Sequence, residues 1–242
     1  MALQIGRAIS NGIRRSVSPV GIALMVLTFF YVGIFTSSVN TIIAGALPPE
    51  IRQEAQIGLT LPLSSVVAAG LALASLLFGM AIYIAAARAL TRQGSDSGTV
   101  TGSLFTRRIG RALLTAVGAN IVIGIATFIG FVLLVIPGIF LMVSFVFVVF
   151  AIAVEDRRLI DSLRRSWALS RGNRWRLAGL LLLVGVVTGL VSSIGSLVSF
   201  VSPGIGQLVT FLVTAPLAIL GYGIIADAYL QIRDEQSGGV EM

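Results

Sequence analysis

The 242-residue chain has no cysteine, no histidine and no lysine, and only 11% of its residues are charged. Without cysteine there is no disulfide framework and no thiol nucleophile. Without histidine there is no His-ligated zinc, no His-ligated haem and no Ser-His-Asp hydrolase. Without lysine the phosphate-binding loop Gly-x-x-x-x-Gly-Lys cannot be written. A soluble domain carries about 25% charged residues, so this chain lacks the charge to cover a water-facing surface. What it has instead is a 56% hydrophobic composition and 27 glycines, with a mean hydropathy of +1.00. Disorder is excluded by the same numbers. The net charge is +7 and the pI about 11.2. In a soluble protein that balance would point to nucleic acid. In a chain this apolar it points to membrane orientation, and nucleic acid is not expected as a partner.

A helix needs about 20 mostly apolar residues to cross a hydrocarbon core of about 30 Å. Six charge-free stretches meet that requirement, over residues 19–43, 62–87, 112–135, 137–154, 177–201 and 203–226. The first is preceded by Arg7, Arg14 and Arg15 and followed by Ala44-Gly45-Ala46, but it is too long for the apolar region of a signal peptide. The expected fold is all-α: a polytopic membrane protein of six transmembrane helices, arranged as three hairpins. Residues 1–18 form a cytoplasmic amphipathic segment, 19–230 one transmembrane domain, and 231–242 a flexible tail.

The arginines give this layout a direction. Sixteen of the 17 lie on the termini and the even-spaced connections, and only Arg52 lies on the other side. Excess Lys and Arg mark cytoplasmic segments, so both termini are expected in the cytoplasm of a cell-membrane protein. Two of the outward turns look related: Pro137-Gly138-Ile139 through Phe145 can be laid on Pro203-Gly204-Ile205 through Phe211, which raises the possibility of a hairpin repeat.

The most distinctive segment runs from Glu155 to Arg176. Leu159, Leu163 and Trp167 recur every four residues and Ile160 joins them, a helical period. Acids stand at its start, arginines follow, and Gly172 is a natural stop. The reading is an interfacial helix over about residues 156–171 with that apolar face on lipid or on the bundle. Arg157, Arg158, Arg164, Arg165, Arg171, Arg174 and Arg176, with Trp167 and Trp175, form the expected surface for anionic lipid headgroups or for a protein partner; the arginines alternatively serve only to fix orientation. Residues 3–17, with Ile5, Ile9 and Ile13, read as a second interfacial helix.

The pattern Glu155, Arg157, Leu163-Arg164-Arg165-Ser166-Trp167, Leu169, Arg171-Gly172-Asn173 and Trp175-Arg176, preceded by Pro137-Gly138-Ile139, resembles an integral membrane family. That family is similar to the membrane domain found beside some bacterial glycerophosphodiester phosphodiesterases, and its stand-alone members are frequent in halophilic archaea. The opening Met1 to Ala8 resembles those archaeal members too. The resemblance implies six helices and no activity. The phosphodiesterase itself is not expected in these residues, since there is no histidine and no room for a barrel of about 250 residues.

Ionisable groups inside a membrane mark function or bracing. Asp227, near the end of the sixth stretch, is expected to pair with Arg88 or with an interfacial arginine. Asn40, Asn120 and Gln207 are expected to bond between helices. Gly179, Gly185, Gly189 and Gly195 are expected to allow close packing of the fifth helix, and Asp96 falls in a flexible loop. No metal cluster, cofactor site or acid–base pair is visible. The expected function is therefore a non-enzymatic scaffold or accessory protein that contacts anionic lipid or a partner; the alternative is a small permease or lipid-handling transporter. Neither the oligomeric state nor a substrate is readable.

Overall fold

The computed structural model describes residues 3–55, 57–92 and 108–238; Asp96 with its loop and residues 239–242 lie outside them. Among the described residues there are ten helices and no strand: α1 (Ile5–Ser16), α2 (Pro19–Ala46), α3 (Pro49–Glu54), α4 (Ser65–Leu90), α5 (Ile109–Leu133), α6 (Val135–Ser144), α7 (Val148–Ala153), α8 (Leu159–Ser170), α9 (Arg174–Ser199) and α10 (Pro203–Gly238). Six stretches, namely α2, α4, α5, α6 with α7, α9 and α10, are long and apolar enough to cross a membrane. Helices are the expected result, because in hydrocarbon each backbone polar group has to be bonded within its own segment.

The boundaries depart from the sequence reading in three places. The turn expected at residues 136–138 falls at Leu134, which is extended between two helices. Pro137 is thus the third residue of α6, where its missing N–H costs no intrahelical bond. The fourth stretch is broken at residues 145–147. At the other end, α10 continues through Gly238, so residues 231–238 are helical where a flexible tail is expected. Side chains explain the extension: Gln231 donates to Asp227 at 2.8 Å and Arg165 donates to Gln236 at 3.1 Å. The two related turns also differ. Phe145 stands in the break, whereas the residue laid on it, Phe211, is buried inside the continuous α10.

The chain forms two compact units, one holding the chain through Ile22, Tyr83–Gly185 and the chain from Leu220, the other Ala23–Ile82 and Val186–Ile219. In the first unit an aromatic core joins α7 to α10. Phe150 stacks on Tyr222 and Tyr229 with centroids 4.9 and 5.3 Å apart, and Phe147 meets Tyr229 at 5.7 Å.

In the same unit α1 is held by its small residues. Ala8, Gly12 and Ser16 are its buried positions, while Ile13 is exposed. A Cβ on Gly12 would fall 2.5 Å from the Cα of Ile224, and one on Gly223 would strike the Ser16 hydroxyl. The face against α10 is therefore that of Ala8, Gly12 and Ser16 and not that of Ile5, Ile9 and Ile13. Bulky side chains hold backbones apart, and only Gly and Ser permit this approach.

In the second unit the extended segment after α3 is pinned by polar side chains. Gln207 Oε1 accepts from the N–H of Leu59 at 2.5 Å, Asn40 donates to the Leu59 carbonyl at 3.1 Å, and the N–H of Leu61 donates to the Thr41 hydroxyl at 2.8 Å. Asn40 also donates to Gln207 at 3.3 Å. Among the described residues Asn120, in the first unit, bonds its own helix, donating to the Ala116 carbonyl at 2.9 Å. The expected glycine packing along α9 fails at three of four positions: Gly179, Gly185 and Gly189 face open space, and only Gly195 meets a neighbour, Thr210.

Replacing Gly12 with Leu is expected to lower thermal stability by about 1–3 kcal/mol through overpacking, and Ile9→Ala by less. Thermal denaturation in detergent measures both; an equal or reversed order would contradict the packing of α1 by its small face.

Candidate functional site: the arginine-bearing helix and its serine seat

Interrupting a helix at residues 145–147 frees backbone donors and acceptors that need partners. They find them on α8. The N–H of Phe147 donates to the Ser166 hydroxyl at 3.2 Å, and Ser166 donates in turn to the Ser144 carbonyl at 2.9 Å. The Ser170 hydroxyl reaches the same carbonyl at 3.3 Å. Ser144, Ser162, Ser166 and Ser170 are all fully buried. The serines at 162, 166 and 170 recur every four residues and so form one face of α8.

The sequence reading puts the face built from Leu159, Ile160, Leu163 and Trp167 on lipid or on the bundle. Ile160 is 60% and Trp167 38% exposed, and Trp167 also meets the Phe140 and Phe145 rings at 5.6 and 5.9 Å. The seat is Ser162, Ser166, Leu169 and Ser170. Hydropathy periodicity picks the greasy face, but the packing partner here presents unpaired backbone polar groups, which hydroxyls satisfy and leucines cannot.

The seat places the charged residues in two groups. The first is centred on Glu155, which precedes α8. Its carboxylate accepts from Tyr229 Oη at 2.6 Å, Arg157 Nε at 2.6 Å and Arg165 Nε at 3.1 Å. Burial pushes this carboxyl up, but the three hydrogen bonds and the Arg165 charge outweigh it, and its pKa lies below the ordinary glutamate value. The second group points outward. Arg158, Arg164, Arg171 and Arg176 are exposed, with no ion pair among the described residues, and Trp175 beside them is 92% exposed.

Arg174 belongs to neither group. Its guanidinium lies over the Phe140 ring at 4.4 Å and the Trp167 ring at 4.3 Å. Its Nε and Nη2 are buried without a hydrogen-bond acceptor.

Asp227 is 3% exposed and meets Arg15 at 3.6 Å. Arg15 also donates to the Leu90 carbonyl at 2.9 Å, tying α1 to the end of α4. Arg88 is buried too, and its Nε donates to the Ala153 carbonyl at 3.0 Å. Pro203 and Gly204 open α10 as a plain helix start. No group of three or more Asp or Glu residues is placed to hold a metal among the described residues. Three features were not singled out from the sequence: the Glu155 cluster, the serine seat and the special environment of Arg174. Only the seat leaves a sequence signal, serines at a spacing of four.

Glu155→Gln is expected to cost about 1–3 kcal/mol at neutral pH, since it removes the charged acceptor of a half-buried cluster. A carboxyl held low stabilises the fold above its unfolded pKa of about 4.3, and that contribution is lost as pH falls through the lower folded value. Melting curves from pH 7 down to about 3 should show a steeper acid fall for the wild type than for the variant. Parallel curves would contradict this role for Glu155.

No curated protein and no solved structure matches this sequence. A family model described as a domain of unknown function (DUF7847) matches residues 3–232. The match includes both arginine-bearing helices, the broken helix between α6 and α7 and the Asp227 site, so the chain belongs to the DUF7847 family.

Proposed function

We propose that this is a non-enzymatic integral protein of the cell membrane, a scaffold or accessory protein that meets anionic lipid headgroups through an arginine-rich cytoplasmic face, with both termini in the cytoplasm. The observation that carries the reading is the pair of opposite faces on α8: a buried serine seat on one side and, on the other, exposed Arg164 continuous with exposed Arg158, Arg171 and Arg176. A helix held this way keeps its cations in a fixed array. Arginine pairs bidentately with phosphate oxygens, and each arginine near an anionic leaflet contributes about 1 kcal/mol. Trp175 and Ile160 lie exposed beside the cations, the amphipathic composition expected of headgroup contact.

The permease reading has one observation in its favour, because interrupted helices line the substrate sites of many transporters. In those sites the freed backbone groups face a cavity. Here Ser166 and Ser170 occupy them and are fully buried, which favours a structural break. The buried Asp227 and the half-buried Glu155 are likewise engaged, Asp227 with Arg15 and Gln231, Glu155 with Tyr229 and two arginines, and this supports bracing over proton coupling. The resemblance to a membrane domain that accompanies lipid-related enzymes agrees with a lipid-facing accessory role and supplies no activity.

Retention of the detergent-solubilised protein on beads coated with phosphatidylglycerol, compared with phosphatidylcholine, tests the proposal. Changing Arg158, Arg164, Arg171 and Arg176 together to Gln should weaken retention on phosphatidylglycerol at least tenfold, and added salt should weaken the wild type similarly. Equal retention on both lipids, or an unaffected variant, would overturn it.

A further inference from the structure

Beside α6 and the start of α9 lies a groove of about 530 Å³ lined by Ile136, Ile139, Phe140, Val143, Gly172, Arg174, Trp175 and Ala178. Its walls are apolar except at Arg174. Ile136, Ile139, Phe140 and Val143 stand at i, i+3, i+4 and i+7, so one face of α6 forms one wall. Ile136 and Ile139 are 78% and 44% exposed, and the groove is thus open to whatever surrounds α6.

Phe140 and Trp167 pack edge to face, their centroids 5.6 Å apart and their planes at 78°, and the Arg174 guanidinium sits in the corner they form, 4.4 and 4.3 Å from the two centroids. Two ring contacts restrain the fork and so lower the ordering cost of binding an oxyanion. Yet Nε and Nη2 have no acceptor. A buried donor without a partner costs about 1–3 kcal/mol, more when charged, and an ionisable group set among apolar helices is a functional-site signal by default. The groove-lining part of Arg174 lends a positive charge to otherwise apolar walls, and such walls suit an anion that carries hydrocarbon.

We infer that this groove is a specific site for one anionic phospholipid, its phosphate on the Arg174 guanidinium and an acyl chain along Ile136, Ile139, Val143 and Ala178. The inference deepens the proposed lipid contact and rests on the reading that this part of the chain meets headgroups. It differs from the outward array in kind: the array is diffuse and salt-screened, whereas the groove takes one lipid per chain. Trp175, 92% exposed at the groove's edge, is placed to cover the glycerol region, where indole rings concentrate in membrane proteins. A free phosphate ion would satisfy the guanidinium and leave the apolar walls uncovered.

Native mass spectrometry of the detergent-purified full chain distinguishes these cases, with dioleoyl phosphatidylglycerol, dioleoyl phosphatidylcholine and inorganic phosphate as separate probes. The expected result is one phosphatidylglycerol per chain, at least tenfold preferred over phosphatidylcholine, with no competition from inorganic phosphate. Arg174→Gln should reduce occupancy at least tenfold. Arg174→Lys, which keeps the charge and loses the fork, should fall between. Ala178→Trp fills the groove without touching the cation and should also abolish the adduct; it decides the matter if Arg174→Gln does not fold. The four-arginine variant that weakens bead retention should keep the adduct, so the two proposals fail separately. Equal binding of both lipids, displacement by inorganic phosphate, an Ala178→Trp variant that binds like wild type, or a groove closed by a second copy of the chain would each overturn the inference.

Discussion

A helix broken within an apolar layer must have its freed backbone groups bonded by the chain itself, because no water is present to bond them. That requirement at residues 145–147 organises the arginine-bearing part of this protein. It calls for short hydroxyl side chains on a neighbouring helix, and Ser166 and Ser170 supply them. Once the face of Ser162, Ser166, Leu169 and Ser170 is turned inward, Arg164 and Ile160 are left on the exposed side. The connection to α9 then leaves Gly172, at φ +90°, a conformation glycine adopts without strain, and brings Arg174 back over Phe140. The arrangement of the cations thus follows from a backbone problem several residues away.

The N-terminal helix repeats the solution with different chemistry. Its partner α10 is unbroken, so no hydroxyl bonding is required, and the seat consists of Ala8, Gly12 and Ser16 against Gly223 and Ile224. In both helices small residues at a spacing of four make the close contact, as they do between transmembrane helices, where hydrocarbon surroundings remove the hydrophobic reward for burying leucine and isoleucine. Ion pairs then hold the flanks, Arg15 with Asp227 beside α1 and Arg165 with Glu155 beside α8. Both pairs end on α10 or on residues bonded to it, since Tyr229 donates to the same Glu155 carboxylate.

Much of this architecture is legible in the sequence because long charge-free runs admit few alternatives. The six apolar stretches and the two short helices α1 and α8 follow from counting and from period. The faces were not legible in the same way. Ile5, Ile9 and Ile13, and likewise Leu159, Leu163 and Trp167, carry the larger hydropathy signal, and in a soluble protein that signal marks the core. In an apolar medium it does not discriminate, and the weaker pattern of Ala, Gly and Ser carries the contact. The glycines of α9 show the converse: Gly195 packs, while Gly179, Gly185 and Gly189 have nothing opposite them, so small residues mark contacts only where a partner is present. Asp227 was recognisable as a lone buried acid, but its partner Arg15 is 212 residues away in the chain, and Glu155 looked like one more charge in a charged segment.

The absence of cysteine makes the chain suited to single-site spin labelling, and a nitroxide scan from residue 159 to 171 addresses the seating of α8 directly. Labels at 162, 166 and 170 are expected to be immobilised and shielded from both oxygen and water-soluble relaxants. Labels at 160, 163 and 167 are expected to be accessible to membrane-dissolved oxygen. A scan with the same period of four and the opposite phase, immobile at 159, 163 and 167 and accessible at 162, 166 and 170, would contradict the serine seat and the arginine placement that depends on it.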